Sequence, residues 1–302
     1  MLPALTIIHP LVDACSIGVL AAGGITWQRV IAYNAIAFAL QLPLGAVLDE
    51  FPRLSRAGFL LGVSLAFAAA VSAAFGAAGW CVLAAACIGN ALFHLTAGKH
   101  VLEAGSGRSG PIGLFISTGA LGLMAGQLWA ERAAHVALPV FAAALAVCTA
   151  VCAKRCSTLN GREVPPNHQP VGGMFLPAAI LAGLFALIAW RSWAAIFAGG
   201  RSAASGAALM GVAAAVTWAG KAAGGYLAER AGRWRVTAVS VCGSALLAFA
   251  CSPENAAAWL TLLFVAQLAT GPVLSLVYER MGGRGGTAFG FNCLGLFAGS
   301  MA

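Results

Sequence analysis

"GAVLDEFPRLSR", residues 45–56, and "GYLAERAGRWR", residues 225–235, are two copies of one pattern. Each reads glycine, three residues, an acid, three residues, arginine. The first copy supplies Gly45, Asp49 and Arg53. The second supplies Gly225, Glu229 and Arg233, with Arg230 directly after its acid. A second pair agrees: "GRSGPIG" starts at Gly107 and "GRGGTAFG" at Gly283. The offsets are 180 and 176 residues, so one register nearly relates both pairs. In a chain with 38 glycines a single match carries little weight. Two matches at one offset indicate an internal duplication.

The stretches around these copies are apolar. Hydrophobic residues make up 61% of the chain and charged residues 9%. A soluble domain carries roughly 25% charged residues. So little charge cannot cover a water-facing surface, and the chain reads as an integral membrane protein. Its formal charge of +8 does not point to nucleic acid, because the basic residues fall in short clusters between apolar runs. The start, "MLPALTII", lacks the basic region of a signal peptide and reads as a first span.

A span needs about 20 apolar residues. That rule places helices near 2–23, 27–48, 57–77, 79–98, 111–130, 134–153, 173–199, 205–227, 235–251, 256–279 and 286–302. With the N-terminus inside, the inner loops hold Arg53, Arg56, Lys99, Arg108, Lys154, Arg155, Arg162, Arg230, Arg233, Arg235, Arg280 and Arg284. The outer loops hold only Arg29, Arg132 and Arg201, and Arg191 and Lys221 lie within spans. This bias sets the N-terminus on the cytoplasmic side of a cytoplasmic (inner) membrane. The polar stretch "AKRCSTLNGREVPPNHQPVGG", 153–173, breaks the apolar pattern. It divides the chain into a six-helix bundle at 1–153, a cytoplasmic linker at 154–172 and a second bundle at 173–302. The expected fold class is an all-α polytopic membrane protein with two pseudo-symmetric bundles.

At the repeated loop the chain resembles the major facilitator superfamily. Gly45, Asp49, Arg53 and Arg56 match that family's loop between spans two and three, and Gly225, Glu229, Arg230 and Arg233 match its repeat. Glu50 stands where a basic residue is usual. The resemblance covers essentially the whole chain and implies alternating access by rocking of two six-helix halves. It also implies a twelfth span, so the chain is expected to be truncated at its C-terminus. Within the superfamily, residues 89–126 are similar to fosmidomycin-resistance-type exporters. So, more loosely, are His9 with Asp13 and "WRSW" at 190–193.

Ionisable residues within spans are rare and face a cavity or a partner. Here they are His9 and Asp13 on span 1, His94 on span 4 and Arg191 on span 7, with Glu279 ending span 10. The resemblance implies that spans 1, 4, 7 and 10 line a central cavity. Lys221, on span 8, is the exception; it is expected to snorkel or to pair with the loop acids. His9 and Asp13 are four residues apart and share a helix face, as do Asn90 and His94. Asp13 is the candidate proton-coupling group, with His9 as relay; the competing reading is a structural hydrogen-bond pair. His94 either faces the cavity or caps carbonyls near a helix end. Arg191 pairs with Asp13, binds an anionic substrate, or snorkels from a 27-residue segment about 40 Å long. The loop acids are expected against a helix N-terminus or an arginine of the other bundle.

Gly113, Gly122 and Gly126 on span 5 follow the spacing of the family's antiporter motif, with Gln127 in place of its proline. Small residues four apart also allow close helix packing on their own. Cys148, Cys152 and Cys156 would line one helix face, but no histidine or acid completes a tetrahedral metal set. No metal or cofactor is expected. A phosphate-binding Gly-x4-Gly-Lys-Ser/Thr loop is absent, which disfavours an ATP-driven pump. No Gly-x-Ser-x-Gly stretch supports an intramembrane serine protease, so the chain is read as a non-enzyme. The expectation is a monomeric, proton-gradient-driven carrier of a small molecule, with export ahead of uptake and a non-transporting membrane sensor or scaffold as a further alternative.

Overall fold

The structure, a computed structural model, describes residues 1–156, 175–204, 206–250 and 255–301. Among the described residues there is no strand; there are eleven helices, and eight stretches, Ser109–Ala153 taken as one, are long and apolar enough to cross a membrane. The helices of the first half are α1 (Leu2–Ala22), α2 (Trp27–Glu50), α3 (Leu54–Ala74), α4 (Trp80–Ala104), α5 (109–132) and α6 (134–156). The second half has α7 (Phe175–Ala204), α8 (Ala207–Ala231), α9 (Arg233–Ala250), α10 (Ala256–Arg280) and α11 (Gly285–Ser300). Most of the linker expected at 154–172 lies outside the described residues.

The spans agree with the hydrophobic windows, with one instructive difference. The window for α4 closes at 98, because Lys99 and Glu103 resemble loop residues. The helix runs on to Ala104, since the two side chains pair four residues apart and are both buried. Large apolar side chains such as Val151 (78% exposed) and Leu246 (70%) face outward, as a lipid-facing surface requires. The chain is a multi-pass membrane protein.

Helix contacts are made at small residues. In lipid there is no hydrophobic drive between helices, so close backbone approach supplies the attraction. Gly62 of α3 lies on the backbone of Gly89 and Phe93 of α4. Gly122 and Gly126 of α5 lie on the backbone of Pro10 and Ala14 of α1, and Gly113 lies on Lys221 and Gly225 of α8. All three span 5 glycines are thus packing points. Gln127 is half-buried, and its amide donates to Glu131.

Three helices are interrupted. The Ala35–Ala39 segment of α2 is a π-turn, and the Gln41 amide donates to the Ala37 carbonyl (2.6 Å) within it. α5 breaks between Ser117 and Gly119. α10 breaks between Gln267 and Thr270. Irregular backbone at membrane depth needs protein partners. At α10 Ser240 of α9 provides them: its hydroxyl donates to Val265 O (2.6 Å) and accepts from Ala269 N (3.2 Å). The turn between α5 and α6 falls at Ala133, and Trp129 stacks on Phe141 across it, 5.7 Å between ring centres.

Candidate functional site: a buried histidine–aspartate cluster and two carboxylate latches

His9, Asp13, Asn90 and His94 meet where α1 crosses α4. The Asn90 amide donates to Asp13 Oδ1 (2.9 Å). His9 Nε2 lies 3.1 Å from Asp13 Oδ2, and His94 Nε2 lies 3.4 Å from Asp13 Oδ1. The two imidazoles approach each other at 2.7 Å between their Nε2 atoms. Asp13 is 5% exposed and His9 3%. His9 is further held between rings, stacked on Phe115 at 4.6 Å and tilted against Phe93 at 6.0 Å. The two readings left open for His94 resolve toward the interior cluster.

The outer edges of the rings define the chemistry of the inner edges. His9 Nδ1 faces the Phe115 carbonyl at 2.7 Å, and His94 Nδ1 faces the Asn90 carbonyl at 2.9 Å. A carbonyl only accepts, so each Nδ1 carries the proton. In the neutral rings both Nε2 atoms are then bare lone pairs. Two lone pairs 2.7 Å apart beside a carboxylate repel unless one cation sits among them. The Phe115 carbonyl is available because α5 breaks at Thr118, which itself donates back to it (3.1 Å).

Arg191 sits in the second half and does not reach Asp13. Its Nη1 donates to Gln267 Oε1 (3.2 Å) and Thr270 Oγ1 (2.8 Å), the two residues that flank the break in α10. It is 5% exposed, which rules out a guanidinium snorkelling to headgroups. Its Nε and Nη2 have no partner among the described residues. Lys221 does not pair with the loop acids either: its ammonium reaches the Ile116 carbonyl at 3.5 Å, next in the chain to the carbonyl that holds His9. Gln267, Thr270 and Phe115 escape sequence reading, because an uncharged amide, hydroxyl or carbonyl leaves no mark in a hydropathy pattern.

The repeated loops bind across the halves at one end of the molecule. Asp49 accepts from Gly286 N (2.9 Å), Thr287 N (2.7 Å) and Thr287 Oγ1 (2.7 Å) at the N-terminus of α11. Free N–H groups and the helix dipole favour a carboxylate there. Lys99 Nζ also donates to Asp49 (2.6 Å) and pairs with Glu103. Glu229 repeats the arrangement, accepting from Gly110 N (2.9 Å) at the N-terminus of α5 and from Arg108 (2.8 Å). Gly45 and Gly225 allow these approaches, since their α-carbons lie against the Gly286 and Ser109 carbonyls. Arg233 pairs with Glu279 (2.9 Å), and Glu50, unusual at its position, pairs with Arg284 (3.2 Å). Arg53 and Arg230 are exposed. Lys99, a loop cation by its sequence position, belongs to the latch, and its four-residue spacing to Glu103 is the signal for that place.

No family model matches the sequence, and no curated protein matches it. Solved structures do. A variant of the E. coli fucose:proton symporter FucP aligns with 99% of this chain and 88% of its own, at 13% identity and a TM-score of 0.67. The human organic anion transporter MFSD10 (TETRAN) aligns over 98% and 90%, at 16% identity and a TM-score of 0.65. A bacterial homologue of the iron transporter ferroportin, in its outward-facing state, aligns over 99% and 90%, at 14% identity and a TM-score of 0.57. The chain has the major facilitator superfamily fold, an all-α membrane architecture of two pseudo-symmetric bundles.

Proposed function

We propose that this chain is a secondary active transporter that exports a small anionic or amphipathic compound across the cytoplasmic membrane, coupled to protons, as a monomer. The observation that carries the reading is the α1–α4 cluster, which needs one shared cation among His9, Asp13 and His94. A proton fills that need and leaves the cluster neutral, the form burial favours. Imidazole exchanges protons near neutral pH, so the cluster can load and release one per cycle. Arg191, with two free donors, and Lys221 supply positive charge for an anionic substrate.

The latches fit alternating access. Asp49 and Glu229 hold the halves together at the basic end, which the loop charges assign to the cytoplasm. The shared helix-terminus contacts must break for that end to open. Export is favoured by the span 5 glycines Gly113, Gly122 and Gly126, whose spacing follows the antiporter motif of the superfamily the chain resembles. Uptake is the competing direction, supported by the likeness to a proton symporter.

The test is resistance. The full chain is expressed in a host lacking its major exporters and challenged with a panel of toxic small molecules, with Asp13→Asn at matched membrane abundance. Resistance lost in Asp13→Asn supports proton-linked export and names a substrate class. Resistance kept in Asp13→Asn removes Asp13 as the coupling group. No resistance to any compound overturns export, and accumulation of labelled metabolites then tests uptake.

A further inference from the structure

We propose that His9, Asp13 and His94 form a binding site for one divalent transition-metal ion of the Zn2+ class, against the sequence expectation of no metal. Among the described residues this is the one group of histidine, cysteine or acidic side chains whose donor atoms converge, all within 4.8 Å of one another. The two Nε2 atoms are 2.7 Å apart and His9 Nε2 is 3.1 Å from Asp13 Oδ2, both somewhat under the ~3.3 Å between neighbouring donors that tetrahedral bonds of about 2.0–2.1 Å imply, while His94 Nε2 meets the other carboxylate oxygen, Oδ1, at 3.4 Å. Seating an ion requires the two imidazoles to part by a few tenths of an ångström.

The surrounding shell is that of a metal site. Ligating histidines donate their other N–H to a carbonyl or carboxylate, which fixes the tautomer and aims the bare nitrogen. Here both do so, to Phe115 O and Asn90 O. The ligating carboxylate is oriented as well: the Asn90 amide holds Asp13 Oδ1 and leaves Oδ2 toward His9. Asn90 therefore serves two of the three ligands, one through its side chain and one through its carbonyl. Gly119, at the break in α5, lets the backbone come close against the donors. A Cβ there would press on Asp13 Oδ2 and lie 2.7 Å from His9 Nε2. A fourth ligand, water or an anionic oxygen, would complete the coordination.

Donor chemistry narrows the ion. Two imidazoles and one carboxylate suit Zn2+, Co2+, Ni2+ and Fe2+; Ca2+ and Mg2+ take oxygen ligands, and Cu+ takes sulfur. The site stands on the ligand geometry and not on the transport reading. Under that reading it has a consequence: a metal ion occupies the place of the shared proton and stalls the cycle.

The experiment is titration of the purified, detergent-solubilised full chain with ZnCl2 by calorimetry and with CoCl2 by visible absorption, whose intensity separates four-coordinate from six-coordinate cobalt. One ion per chain with an intense four-coordinate cobalt spectrum is expected, with affinity falling as pH is lowered because the ligands must be free of protons. His94→Gln and Asp13→Asn are each expected to weaken binding by more than ~100-fold. Asn90→Ala, which removes only an orienting amide, is expected to weaken it by ~10- to 100-fold. Gly119→Ala should weaken it with every ligand present. Helical circular dichroism and monodisperse elution check each variant, and His94→Gln serves where Asp13→Asn does not fold. Failure to bind stoichiometrically, or equal affinity in wild type and His94→Gln, overturns the proposal. Binding that depends on these ligands while resistance is unmoved by Zn2+ keeps the metal site and removes its link to the cycle.

Discussion

The two halves place different chemistry at equivalent places. In the first, Asp13 on α1 is held by Asn90 on α4. In the second, Arg191 on α7 is held by Gln267 and Thr270 on α10. Arg191 follows Asp13 by 178 residues and Gln267 follows Asn90 by 177, within the offset of the repeated loops. One half therefore buries an acid with two imidazoles, and the other buries a cation with spare donors. A buried charge needs either a partner or a ligand. The acid has hydrogen-bond donors and imidazoles around it and needs only a proton; the cation has neutral partners at Nη1 alone, and its orphaned Nε and Nη2 make it the better candidate for substrate. The latches differ in the same way. Asp49 is 4% exposed at its side chain and belongs to a buried network with Lys99, whereas Glu229 is more open and pairs with an arginine 66% exposed.

These contrasts can be broken by substitution. The largest effect is expected for Asp13→Asn, which should lower proton-driven flux about 100-fold, ~2.7 kcal/mol in barrier. Flux into proteoliposomes under an imposed pH gradient reads it, and counterflow without the gradient should survive. Next comes Asp49→Asn. It removes the negative charge, turns one acceptor oxygen at the helix terminus into an NH2 donor and leaves Lys99 with Glu103 as its charged partner, so about 2 kcal/mol of stability should be lost. Thermal unfolding followed by tryptophan fluorescence measures this. Arg191→Gln should reduce transport of an anionic substrate by roughly tenfold, about 1.4 kcal/mol, mainly through KM. An unchanged KM would return Arg191 to a structural role. Glu229→Gln should cost under ~1 kcal/mol in the same melt, because its arginine partner is solvated. A loss equal to that of Asp49→Asn would erase the contrast between the latches. The smallest effect belongs to Arg233→Ala, within ~0.5 kcal/mol, since its pair with Glu279 is exposed on both sides.

Much of the candidate site was legible before any coordinates, and the reason lies in the bilayer. A charged or imidazole side chain at membrane depth stands out against an apolar background, so His9, Asp13, His94 and Arg191 could be listed from composition alone. Asn90 followed from helical spacing to His94. The loop acids could be assigned helix-terminus partners because the repeat gave each of them the same surroundings. The pairing of Arg191 was not legible. Asp13 and Arg191 are opposite in sign, and charge alone favours joining them; the fold keeps them in separate halves. Lys99 is hidden for a related reason. Hydropathy reads a lysine as a boundary marker, but a partner inside the protein lets it sit deep, as Glu103 does for Lys99.

Sequence by itself determined the apolar helices, the duplication and which ionisable groups lie within those helices. Each of these depends on local hydropathy and spacing, which need no knowledge of neighbours. Tertiary structure alone decided which lone pairs face one another, which carbonyls become acceptors and where the helices break. Those outcomes rest on backbone groups freed at Thr118 and between Gln267 and Thr270, and on small residues that let helices approach. Backbone atoms are the same in every residue, so only packing can assign them a partner.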